Sequence, residues 1–217
     1  MSDLAKQERA QLSDAFDRFG PDSPTLSGDW TTRDLAAHLV LRERRPDAAG
    51  GILLPLLASR TESVQQQIAA QPWPQLVEQF RSGPPAWSPM RVGAVDEVAN
   101  LAEFYVHHED VLRGADPSAR RARSEQLENA LWGVLGRMGR FLLRKSPVGV
   151  DVRAEGHRER PLTKAGQGDG RVTLVGAPGE VVLRVFGRGI ADPAVTDVVI
   201  EGDDAAVAKF AGFNPSF

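Results

Sequence analysis

The chain has 217 residues, of which 41% are hydrophobic and 25% charged, with a formal net charge of −3 and no cysteine. This aliphatic content excludes a disordered chain, and the weak acidic balance excludes a global basic field for nucleic acid. No segment approaches the roughly 20 apolar residues of a membrane span, and disulfides, thiolate zinc sites and a cysteine nucleophile are all excluded.

The N-terminal segment MSDLAKQERAQL is polar and charged, which reads as a cytoplasmic protein without a secretory signal. Residues 3–19 carry Leu4, Ala10, Leu12, Ala15 and Phe16 at helical spacing, and Gly20-Pro21 ends that helix. Thr31 with Asp34 three residues on reads as the capped start of a second helix bearing Leu35, His38 and Leu39. Further helices are expected at about 52–70, with Pro55 near the start, and at 74–81. A loop rich in breakers follows at 82–90. Residues 94–113 predict a long helix, with Gly114 as its C-cap and Asp116-Pro117 beyond. The stripe Leu127, Leu131, Val134, Leu135, Met138, Phe141 and Leu142 predicts another over 123–145.

After Ser146-Pro147 the composition turns to β-branched residues and glycine. Residues 148–154, 171–175 and 195–201 read as strands. Residues 180–186 fit a strand or a short helix, and 203–213 a final helix capped by Asp203 or Asp204. The class is α+β, with a helical domain over 1–146 and a small α/β domain over 147–217.

Any metal must be held by carboxylates and by the four histidines, His38, His107, His108 and His157. Glu103 and His107 are four apart and share a helix face, and Asp110 continues the same stripe. Such a pair starts a metal site but is also an ordinary intrahelical pair on solvated helices. His38, on a second amphipathic helix, is the best third ligand, giving a His–His–Glu set with room for water or substrate. Asp110 or Asp34 would then accept the free imidazole N–H. His108 points about 100° away from His107, and His157 reads as exposed. Arg42, one turn beyond His38, or Arg81 is expected to clamp a substrate carboxylate, or else to belong to a solvated face. Trp30, Trp73 and Trp87 read as packing residues, and Tyr105 as core.

GDWTTRDLAAHLVLRERRPD (28–47) resembles the N-terminal metal-binding motif of the mycothiol-dependent maleylpyruvate isomerase family, within the DinB/YfiT-like superfamily. DEVANLAEFYVHHEDVLRG (96–114) resembles its second motif, E-x-x-x-H-x-x-D. The segments 168–188 and 198–210 resemble the small sterol-carrier-like domain that follows the bundle. The resemblance spans nearly the whole chain and points to an actinobacterial metal-binding subgroup. It implies a DinB-like four-helix bundle before that domain, a helix over 179–187, and His38, Glu103 and His107 as metal ligands. Zinc is the implied ion, with nickel or iron suited to the same donors. It also implies an enzyme that activates an exogenous low-molecular-weight thiol such as mycothiol for transfer to, or isomerisation of, a small electrophile. No nucleic acid or membrane partner is expected, and a homodimer is permitted. The alternatives are a non-catalytic or stress-related binding module, whose metal would be closed off by His108 or Asp34, and a metal-assisted hydrolase.

Overall fold

The computed structural model describes residues 3–52, 57–86, 88 and 96–215. Among them are eight α-helices and one four-stranded sheet, a mixed α+β architecture. No helix among the described residues is long and apolar enough to cross a membrane. The chain forms two compact units, Met1–Ala119 and Arg120–Phe217. The division expected near 146 therefore lies further from the N-terminus than the observed one, which assigns the long helix after it to the second unit.

The first unit holds α1 (Asp3–Phe19), α2 (Thr32–Arg44), α3 (Ala58–Ala69), α4 (Trp73–Arg81) and α5 (Asp96–Ala115). Helix α1 ends where Gly20, at φ 72°, donates its amide to the Phe16 carbonyl. Its buried stripe is Ala5, Glu8, Arg9, Leu12, Ala15 and Phe16, while Ala10, expected on that face, is exposed. Two charged residues thus sit where an apolar stripe is the rule. Helix α1 packs on α5 and α4, and α2 on α3 and α4. A 3₁₀ turn at Ala49–Ile52 follows α2, and α3 begins only at Ala58. Pro55 and Trp87 lie outside the described residues. Trp73 packs as expected, edge-on to Phe16 at 5.8 Å, and Tyr105 is fully buried.

The second unit holds α6 (Glu125–Leu142), β1 (Gly149–Arg153), β2 (Arg160–Pro161), β3 (Arg171–Val175), α7 (Pro178–Val185), β4 (Val199–Gly202) and α8 (Asp204–Ala211). The sheet order is β2-β1-β3-β4, with a parallel β1–β3 pair at its centre and antiparallel edges. Alternation works as pleat geometry requires: Val150, Val152, Val172 and Leu174 are buried, with Asp151 and Thr173 between them more exposed. Helix α7 is buried along its whole length and packs on α6. Its polar residues Glu180 and Arg184 are four apart and share one face, held by Arg123 and by the Phe210 carbonyl, while its run of valines reads equally as a strand. Pro178 in its first turn supplies the start signal. The third expected strand shrinks to 199–202, because Asp192 caps a 3₁₀ turn at Pro193–Val195. Strand β2 was not foreseen, since Arg160-Pro161 carries no strand pattern.

Arg9 is one of the charges in the core of the first unit. Its guanidinium pairs with both oxygens of Glu43, donates to the Phe80 carbonyl at 2.7 Å and lies 4.5 Å from the Phe104 ring centroid. Burial holds the Glu43 carboxyl above the usual range despite Arg9. Arg9→Leu strips that carboxylate of its counter-charge and is expected to destabilise the protein by about 3–5 kcal/mol. Urea unfolding checks this: a loss under about 1 kcal/mol would show that the pair is not what stabilises Glu43.

Candidate metal centre

Helix α2 is phased by its start. The Thr31 hydroxyl accepts from the Asp34 amide, and Asp34 Oδ2 accepts from the Thr31 amide at 2.9 Å. This capping box fixes Asp34, His38 and Arg42 at successive turns of one face. Helix α5 places Asn100, Glu103, His107 and Asp110 along a facing stripe. His38 Nε2 lies 3.2 Å from Glu103 Oε1, and His107 Nε2 lies 3.3 Å from the same oxygen. One ligand atom from each of these three residues falls within 4.8 Å of the others.

The spacing suits a metal ion. Bonds of about 2.0–2.1 Å at tetrahedral angles put neighbouring donors about 3.3–3.4 Å apart, close to the two separations here. His38, Glu103 and His107 are thus a group that could hold a metal ion. The donor set, two imidazoles and one carboxylate, suits zinc, nickel or ferrous iron.

Electrostatics act on the group in both directions. Burial pushes the Glu103 carboxyl up, but Arg42 and the two imidazoles outweigh it and hold it well below the usual range. Burial lowers the His38 pKa, only partly opposed by Glu103. His107 is also pulled down by burial, but its bonds to Asp110 and Glu103 prevail and raise it. His107 Nδ1 lies 2.9 Å from Asp110 Oδ2, so the fully buried carboxylate can accept a hydrogen bond from Nδ1–H, which turns Nε2 to the centre.

Asp110 is in turn fixed by the loop before α2. Ser27 Oγ donates to Asp110 Oδ2 at 2.9 Å, and the Leu26 amide donates to the Asp110 carbonyl at 3.2 Å. Gly114 makes this approach possible. It lies within α5 rather than capping it, and a Cβ there would stand 2.5 Å from both the Pro24 carbonyl oxygen and Thr25 Cα.

The expected residues divide cleanly. His38, Glu103, His107 and Asp110 come together, and Arg42 joins them, its Nε 3.9 Å from Glu103 and its Nη1 donating to Asn100 at 2.9 Å. Arg81 is engaged elsewhere, pairing with Asp17 at 2.5 Å and with Asp14 and Glu78, all on α1 or α4. His108 turns to α1, 3.5 Å from Glu8. His157, expected in solvent, is half-buried in the second unit and stacks on Trp132 at 4.5 Å. Trp30 stands beside His38, ring centroids 5.2 Å apart. The sequence reading missed Ser27 and Asn100. Asn100 lies three residues before Glu103 on its stripe and was findable, whereas nothing local marks Ser27.

Asp110→Ala removes the acceptor that orients His107 and is expected to weaken metal binding by roughly 10–100-fold, measured by competition with a chromophoric chelator. Gly114→Ala is expected to push the 24–27 loop off α5 and destabilise the protein by about 1–3 kcal/mol, read by thermal unfolding.

Comparison of the chain with protein-family models, curated proteins and solved structures gives no match.

Proposed function

We propose that the protein is a metal-dependent enzyme. His38, Glu103 and His107 hold one divalent cation, with zinc the expected ion, and a small exogenous thiol of the mycothiol kind is transferred to, or isomerises, an electrophilic small molecule. The observation that carries this reading is a set of three donors within 4.8 Å of one another, each imidazole at tetrahedral spacing from the carboxylate, that no fourth protein donor closes among the described residues. The two candidates for closure are occupied: His108 faces Glu8, and Asp34 caps α2. A structural zinc would have four protein donors, and a catalytic one keeps a position for water or substrate.

A cation so held lowers the pKa of a bound thiol or water toward neutrality. The chain's own residues do the rest. Asp110 holds the His107 tautomer, Arg42 keeps Glu103 ionised, and Trp30 walls one side of His38. With no cysteine in the chain, the nucleophilic thiol comes from outside. The thiol itself is supported by the resemblance of segments 28–47 and 96–114 to the thiol-dependent isomerase family.

Elemental analysis of the full chain tests the centre. About one zinc, nickel or iron per chain is expected, lost in His38→Ala. No uptake even after reconstitution with zinc would overturn the reading. With metal present, turnover of electrophiles is expected only with added thiol. Turnover without it would assign hydrolysis instead.

A further inference from the structure

We propose that the second unit binds the phosphate group of a small molecule in a cavity where Arg140, Arg160 and Arg171 converge. The site is independent of the metal centre. Its cavity measures about 390 Å³, room for a phosphate and a small organic body. The lining comprises these three arginines, Asp151, Glu159 and three uncharged residues, contributed by α6, β1, β2, β3 and the chain around β2.

The charges of the lining do not cancel. Asp151 Oδ1 accepts from Arg171 Nη1 at 2.6 Å, and Glu159 lies 3.6 Å from Arg153, which stands outside the lining. Both carboxylates are therefore matched, and a cation entering here would compete with an arginine for each. Arg140 and Arg160 make no ion pair among the described residues. Like charges on one cavity wall raise each other's energy. An anion bound between them reverses the sign of that interaction.

Arg160 is held in place for such a ligand. Its guanidinium carbon lies 3.9 Å from the Trp132 ring centroid, and Nη2 donates to the Trp132 carbonyl. A Cβ at Gly136 would stand 2.5 Å from Nη1, so the bare backbone of α6 is what admits the group. Arg140 follows Gly136 by one turn on the same helix, which brings its side chain to the same cavity. Burial lowers the Arg160 pKa, and no carboxylate acts against it. The planar guanidinium fork matches the paired oxygens of a phosphate. With Arg160 already ordered by its packing, less freedom is lost on binding.

The full chain is titrated by calorimetry with phenyl phosphate and with benzoate, at constant ionic strength and about pH 7.5, where a phosphate monoester is mainly dianionic. Phenyl phosphate is expected to bind roughly tenfold more tightly, because it brings a second charge and a third oxygen to the same ring. Arg140→Gln is expected to weaken it roughly three- to fivefold. Gly136→Ala keeps every charge but displaces the Arg160 guanidinium, and a loss of roughly threefold is expected. Both positions are exposed, so the variants retain the fold. Equal affinity for benzoate, or an affinity unchanged in either variant, would overturn the proposal. A phosphate also binds metal ions, so His38→Ala is titrated in parallel. Retained affinity there places the ligand away from the metal centre, whereas its loss would overturn the assignment to the arginines.

Discussion

A carboxylate half-buried between two helices must be neutralised, and the first unit is organised around how Glu103 is. Helix α2 contributes His38 and Arg42 one turn apart, and α5 contributes Glu103 and His107 one turn apart. The resulting square of alternating charge preference closes only in one register. A slip of one residue along either helix would swing its contribution by about 100°, separating Glu103 from its partners. The capping box at Thr31 sets that phase on α2, and the Ser27–Asp110 bond fixes its counterpart on α5.

The same two helices carry a second charged network on their other faces. Glu43, next to Arg42, pairs with Arg9, while His108 and Glu109, next to His107, turn to Glu8 and Arg113. The four consecutive polar residues His107–Asp110 therefore divide between two sites. His107 and Asp110 belong to the group that could hold a metal ion, and His108 and Glu109 bind charges in the core. Buried ion pairs add little net stability against apolar packing. Here they oblige α1, α2 and α5 to meet in a single arrangement, because each alternative strands a charge.

Much of this was legible in the sequence because the relevant signals are local. The i,i+4 pair Glu103/His107, the capping box of α2 and the alternation of β1 and β3 are each written within a few residues. What was not legible depended on contacts far along the chain. Arg81 looked like a pocket residue until α1 presented Asp14 and Asp17 to it. Gly114 has the signature of a C-cap, yet its role is to admit the backbone of residues 24 and 25. The β-branched run of α7 hid a helix because its valines favour a strand and its one polar pair, Glu180 and Arg184, spans a single turn. The boundary near 146 followed a change in composition, whereas the packed units follow which helix covers α7.

The tie between Leu26 and Asp110 makes a loop amide behave like part of a helix. An amide in a short connection ordinarily exchanges with solvent almost freely, at the low end of the local opening free energies. That of Leu26 is bonded to the backbone of α5 at the residue that orients His107. Its exchange requires the loop to leave α5, which also removes the Ser27 hydroxyl from Asp110. Slow exchange at this one loop position is therefore a direct reading of how firmly the histidine is held, and any ion that tightens the centre slows it further.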